Sequence, residues 1–213
     1  MAILDTSGAE AVTLAAIAKA MGMSAPGLYR YFPSRDALID RLVLLVHEEL
    51  AAVLEETSRS TTALAPEDRL RSLAGACRRW ALRYPMRYDA IFGATIRSAT
   101  DLEGHPDRAR AASAAKRGMG VLIATLADPR DDAADTLPTS TLGQQLLDWH
   151  RSTGGTTSPH ALHLAIVTWT RLHGIISLEI SGAFDAIGVD PALLLANEID
   201  ALLAIWRPVP TSG

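Results

Sequence analysis

Only one cysteine, Cys77, occurs in 213 residues. It has no partner for an internal disulfide, so a reducing cytosol is the compartment this usage suits. Aromatic residues are also scarce, at 5 %, so each ring that does occur is worth placing. No β-branched run alternates with polar residues, which argues against a sheet. Long apolar runs are missing too. The most apolar stretch, ALHLAIVTWTRLHGIISLEI, is broken by His163, Arg171, His173 and Glu179, which argues against a membrane span. Residues 1–20 contain acids and build no long apolar run, so no secretory leader is read there. Neither sign of charge dominates, with 20 Lys and Arg against 24 Asp and Glu and a net charge of -4. Attraction to a polyanion would have to come from a local patch. At 48 % apolar and 21 % charged, the chain has the composition of a folded protein. Its length suits one sizeable core, or a small domain joined to a larger one.

What is present is helical periodicity from end to end. Leu14, Ile17, Ala18 and Met21 form a short stripe, with Thr13 as N-cap and Gly22 as stop. A second short helix is predicted over Ser24–Phe32, capped by Ser24, with Pro26 in its first turn and Pro33 after its end. Ser34 then caps a long helix with Leu38, Leu42, Leu45 or Val46, and Leu50 facing inward. Further helices are expected over 66–84, 86–98, 106–127, 139–151, 159–182 and 190–206, with loops at ADPRDDAAD and RSTGGTTSP. The fold class is therefore all-α.

Two short helices joined by a glycine turn have the spacing of a helix-turn-helix, whose second helix enters the DNA major groove. Leu28 and Phe32 can face the first helix, while Ala25 with Tyr29, and Pro26 with Arg30, fall outside. Ser24 and the first-turn N–H groups make a phosphate site. The small residues Ala25 and Gly27 allow close approach, and Tyr29 and Tyr31 offer flat surfaces with hydroxyls. Arg35 is within reach of a backbone phosphate. From Thr13 to Arg41 there are four cations (Lys19, Arg30, Arg35, Arg41) and two acids (Asp36, Asp40), a balance of +2 inside an acidic chain.

The stretch VTLAAIAKAMGMSAPGLYRYFPSRDALI closely resembles the DNA-binding signature of the TetR (tetracycline-repressor) family of bacterial regulators. The likeness lies in the Thr13-capped TLAAIAKAMG, the S-x-x-x-LY-x-YF recognition helix and the PSRDAL entry to the next helix. It implies a DNA-facing set of Thr13, Ser24, Ala25, Pro26, Gly27, Tyr29, Arg30, Tyr31 and Arg35. Ser24, Tyr29 and Arg35 match positions that hold the DNA backbone, and Tyr31 stands where the family often has His. Family members carry a first helix of roughly four turns before the position of Thr13. Here MAILDTSGAEAV precedes it and reads as that helix's end, with Gly8 as stop. The start then lies upstream of Met1, or the domain is short of one packing partner.

Beyond residue 48 the likeness is to the C-terminal domain of one TetR subgroup named for a Trp and a His-Gly pair, here Trp169, His173 and Gly174. It implies a helix-turn-helix domain over 1–47 and a ligand-binding and dimerisation domain over 48–213. Pairing would use the helices near 159–182 and 190–206. Leu162, Ile166, Trp169, His173, Ile176 and Ile180 form a stripe on the first, and Leu193, Leu194, Asn197 or Ala201, and Ile205 on the second. Trp80, Tyr84, Tyr88, Phe92, Trp149, Trp169 and His173 are candidate contacts for a small apolar or aromatic effector.

Catalysis has little support. His160 and His163 are three apart but lack a third metal ligand nearby in sequence. Cys77 lies on the inner stripe Leu70, Leu73, Ala74, Cys77, Ala81 and reads as inert core. No phosphate loop follows a strand and no nucleophile stands beside a base. The expectation is a cytoplasmic regulator that is not an enzyme, needs no cofactor or metal and contacts no membrane. It would be a homodimeric repressor released from double-stranded operator DNA by its effector. The alternative is a helical interaction protein that has lost DNA binding.

Overall fold

The computed structural model describes residues 1–93, 106–127, 141–152 and 158–206. Ten α-helices lie among them: α1 (Ala2–Ser7), α2 (Leu14–Met21), α3 (Ala25–Tyr29), α4 (Arg35–Ser60), α5 (Pro66–Arg83), α6 (Pro85–Phe92), α7 (Pro106–Leu126), α8 (Thr141–Ser152), α9 (Pro159–Ile180) and α10 (Pro191–Trp206). No strand occurs among the described residues. The all-α expectation holds. Residues 94–98 and 139–140 of the expected helices, and most of both expected loops, lie outside the described residues.

Backbone contacts group the chain into two compact units. One comprises Met1–Leu54 with Arg79–Gly118, the other Glu55–Arg78 with Met119–Gly213. The division falls within α4, α5 and α7, and does not coincide with the sequence boundary at 47/48.

In the first unit α1 packs on α6 and α2 on α3. Leu4 and Val12 are buried anchors for the N-terminal segment. Between them Gly8 ends α1 at φ 73° and ψ 177°, a region essentially reserved for glycine. Its N–H donates to the Leu4 carbonyl at 3.0 Å. Along α4 the buried residues are Leu38, Leu44, Val46, Leu50, Ala51 and Leu54. Leu45 is exposed, which decides between the two inward candidates in favour of Val46. The α5 stripe Leu70, Leu73, Ala74, Cys77, Ala81 is buried throughout, and burial pushes the Cys77 thiol up to about 12. A thiol so buried and held protonated is not poised as a nucleophile near neutral pH.

In the second unit α9 packs against both α8 and α10. Its buried face is Ala161, Leu162, Leu164, Ala165, Thr168, Leu172, Ile175 and Ile176. The window His160–Ile180 is long and apolar enough to cross a membrane, by length and composition alone. Its inner residues are instead packed against neighbouring helices, as in a core helix. Ion pairs add to this packing: Arg78 Nε donates to Glu179 Oε2 at 2.7 Å, Arg71 to Asp200 at 2.8 Å and Arg171 to Glu198 at 2.9 Å. On α10 the inner face is Leu195, Ile199, Leu202, Leu203 and Trp206. The stripe expected from Leu193, Asn197 and Ala201 falls on the exposed side.

Candidate nucleic-acid interface

The local chemistry of residues 13–35 follows from its caps. The Thr13 hydroxyl accepts from Ala16 N–H at 3.1 Å, which fixes the start of α2. Gly22 ends it in the left-handed conformation at φ 64°. Met23 N–H returns to the Ala18 carbonyl at 2.9 Å, the six-to-one bond of a glycine-stopped helix. The Ser24 hydroxyl accepts from Gly27 N–H at 3.4 Å. α3 ends at Tyr29, three residues short of the expected Phe32. Pro33 has no N–H to offer the Tyr29 carbonyl four residues back and disfavours helical geometry at Phe32, while Arg30 keeps helical angles. Tyr31 and Phe32 N–H groups still bond to the Leu28 carbonyl, at 2.9 and 3.0 Å, so the turn continues past the regular helix. Ser34 accepts from Ala37 N–H at 3.1 Å and opens α4.

The side chains sort into two faces. Leu28 is 2 % exposed, and Leu14 and Ala18 are the buried residues of α2. Phe32 and Ile17 are half-buried. Met21, expected inside, is 63 % exposed; it is the last residue of α2, beside the Gly22 stop, where the inner stripe runs out. Tyr29 and Tyr31 stand out at 54 % and 72 % exposed. Thr13, Ser24, Pro26, Arg30 and Arg35 are exposed and Gly27 half-buried. A Cβ on Gly27 would come within 3.2 Å of the Ser24 hydroxyl, so glycine keeps that capping oxygen accessible.

Arg35 has an engagement that sequence spacing did not show. Its Nε donates to the Val12 carbonyl at 3.1 Å and its Nη2 to the Ala9 carbonyl at 3.0 Å. It therefore ties the turn before α2 to the start of α4. Asp40 is met by Arg108 Nε at 2.9 Å, which offsets one of the two acids counted against the local positive balance. Arg108 is 68 residues away in sequence, so no local pattern could have revealed it.

The expected effector contacts occupy both units. Trp80, Tyr84, Tyr88 and Phe92 lie in the first as two ring pairs, with centroids 6.4 Å apart for Trp80–Tyr84 and 4.9 Å for Tyr88–Phe92. The His47 ring meets Phe92 edge-on at 6.3 Å. Trp80 and Tyr88 are buried, and Trp80 Nε1 donates to Glu49 Oε1 at 3.0 Å. In the second unit Trp169 stacks on His173 at 6.4 Å, and Trp149 is 37 % exposed on α8. No cluster of three His, Cys, Asp or Glu suited to a metal occurs among the described residues.

Burial holds both His47 and His173 below the ordinary imidazole value of 6.5. Between that value and the folded one the unfolded chain binds more protons, so stability is full above about 6.5 and is lost as pH falls through the folded values. Thermal unfolding is therefore expected to shift downward from pH 7.5 to pH 5, and His47→Gln to flatten that dependence. A dependence equally steep in His47→Gln would assign the effect elsewhere.

Comparison with known proteins agrees with this geometry. Residues 1–42 match the family described as bacterial regulatory proteins, tetR family. Residues 70–202 match the tetracyclin repressor-like C-terminal domain. The HTH-type transcriptional regulator Rv1816 of Mycobacterium tuberculosis is 26 % identical over 203 residues, spanning 93 % of this chain and 85 % of its own. The crystal structure of SCO4313, a protein named for a regulatory role, is 36 % identical with a TM-score of 0.72, covering 95 % of this chain and 90 % of that one. A Rhodococcus sp. RHA1 protein of unknown function shares the fold, with a TM-score of 0.66 at 20 % identity over 99 % of this chain and 91 % of its own. With a family match at each end, one of them spanning more than half its length, the chain belongs to the TetR family of bacterial regulatory proteins and is a DNA-binding transcriptional regulator.

Proposed function

We propose that this regulator is a homodimeric repressor, released from its operator when a small apolar or aromatic molecule binds the C-terminal domain. The DNA-binding domain would be residues 1–47 and the effector and dimerisation domain 48–213. Operator contacts are assigned to Thr13, Ser24, Ala25, Pro26, Gly27, Tyr29, Arg30, Tyr31 and Arg35. The observation that carries this reading is α3, capped by Ser24 and anchored by Leu28, with Tyr29, Arg30 and Tyr31 exposed around it. Effector contacts are assigned to Trp80, Tyr84, Tyr88, Phe92, Trp149, Trp169 and His173. The Trp/His-Gly subgroup is proposed on Trp169, His173 and Gly174, which fall inside the matched C-terminal segment.

Arg35 tests the operator contacts. A guanidinium has five N–H donors, so its carbonyl bonds leave room for a phosphate. If it neutralises one phosphate, Arg35→Ala weakens binding to all duplexes alike and flattens the log–log salt slope by about one unit. An unchanged slope would reduce its role to bracing Val12 and Ala9.

The dimer reading is supported by what α9 and α10 leave exposed. Leu178 and Leu193 are 49 % and 65 % exposed, and Gly174, Asn197 and Ala201 are exposed on the same two helices. A Cβ on Gly174 would meet nothing within 4 Å. An exposed mid-helix glycine costs about 1 kcal/mol relative to alanine, a cost that close approach of a second helix would explain. Leu193→Asp is expected to convert the dimer to monomer in sedimentation velocity at micromolar concentration. A variant sedimenting as the wild type would move the interface elsewhere.

A further inference from the structure

We propose that Arg87 is a positioning residue for the DNA-reading segment, clamping α1 and α4 to α6 through one guanidinium. This deepens, and rests on, the assignment of residues 13–35 as the operator-binding surface. Arg87 Nε and Nη2 donate to Asp5 Oδ1 and Oδ2 at 2.6 and 2.7 Å. Its Nη1 donates to Glu49 Oε2 at 2.6 Å. The flat face of the same group lies over the Tyr84 ring, 4.1 Å from its centroid. The other oxygen of Glu49 receives the Trp80 indole N–H at 3.0 Å. One cation therefore joins α1 through Asp5, α4 through Glu49 and the residue that opens α6, with α5 attached through Trp80.

The geometry suits placement more than bulk stability. The Arg87 side chain is 13 % exposed, against 30 % and 32 % for Asp5 and Glu49. α1 has six residues and one buried side chain, Leu4. A helix that short has no stability of its own, so its orientation depends on what holds it. A two-bonded arginine–carboxylate pair fixes direction as well as distance. The Asp5 carboxyl is held below the ordinary carboxylate range, first by its hydrogen bond from Arg87. From α1 the placement passes to α2 through Val12, whose carbonyl Arg35 holds at the start of α4. The Tyr84 ring that Arg87 covers also pairs with Trp80 at 6.4 Å, so a displaced Tyr84 would disturb the clamp directly.

The test uses the full chain carrying Asp5→Asn or Arg87→Lys. The first keeps the shape at a partly exposed position, and the second keeps the charge but loses the fork. Anisotropy is measured on the duplex upstream of the protein's own gene and on an unrelated duplex, across salt. Each variant is expected to lose about ten- to thirtyfold on the upstream duplex and less than about twofold on the unrelated one. The salt slope stays that of the wild type, because no phosphate contact is removed. A second arm measures amide hydrogen exchange. Faster exchange in residues 2–12, with unchanged protection in α9, is expected in both variants. Loss on both duplexes alike, a changed salt slope, or wild-type protection of residues 2–12 overturns the clamp. If the wild type itself prefers neither duplex, that result counts against the operator assignment, and the exchange arm still decides the clamp.

Discussion

Leu28→Ala is expected to weaken operator binding by more than about a hundredfold while most of the helical signal in far-UV circular dichroism remains. α3 has only five residues, far below the length at which a helix holds itself together. Its place is set by the Ser24 cap, the glycine turn before it and one buried side chain, Leu28, at 2 % exposed. Truncating a buried leucine costs about 2–5 kcal/mol. Here that loss falls on the segment carrying Tyr29, Arg30 and Tyr31. About 2.8 kcal/mol corresponds to a hundredfold in affinity. Buried residues of the other unit, such as Leu162, Leu172, Ile176 and Ile199, are untouched, so the bulk of the helix signal should persist. Anisotropy on the preferred duplex and circular dichroism on the same sample check both halves. Wild-type affinity in Leu28→Ala would mean that α3 does not read DNA.

The second large effect concerns folding. Glu179→Ala is expected to lower stability by about 2–3 kcal/mol, below the roughly 3–5 kcal/mol of a fully buried pair because this one is partly exposed. The side chains of Arg78 and Glu179 are 23 % and 14 % exposed and joined by two hydrogen bonds. Removing the carboxylate leaves a guanidinium with little water around it. For a chain of this size the midpoint of thermal unfolding should drop by roughly 4–12 °C. Arg78→Met in the Glu179→Ala background should recover part of it, since the unpaired charge is then gone as well. An unchanged midpoint in Glu179→Ala would show that water reaches Arg78 freely.

What the sequence reveals and conceals follows from the range of each interaction. The helix-turn-helix was legible because its determinants are local. Thr13, Gly22, Ser24 and Ser34 each act within five residues, and all four take the expected cap or turn roles. The regular part of α3 ends at Tyr29 because Pro33 offers that carbonyl no N–H, a loss the Leu28–Phe32 spacing does not register. On α10, PALLLANEIDALLAIW carries apolar residues on every side, so periodicity alone could not choose a face. Leu195, Ile199, Leu202 and Leu203 turn inward and Leu193 outward. The clamp and the ion pairs were illegible for another reason. Arg87 and Asp5 are 82 residues apart, and Arg78 and Glu179 are 101 apart, distances at which no spacing rule operates. Composition marks the rings as candidate effector contacts but carries no sign that the Trp80 indole N–H is already donated to Glu49.

The most direct measurement is fluorescence anisotropy of the 213-residue protein on the duplex flanking its own gene, titrated with salt and competed with unrelated duplex. Preference of about a thousandfold or more over the unrelated duplex, with affinity falling steeply and log-linearly with salt, is the expected result. Binding that is equal on both duplexes across the salt range would contradict the operator reading and favour a helical protein whose partner is another protein.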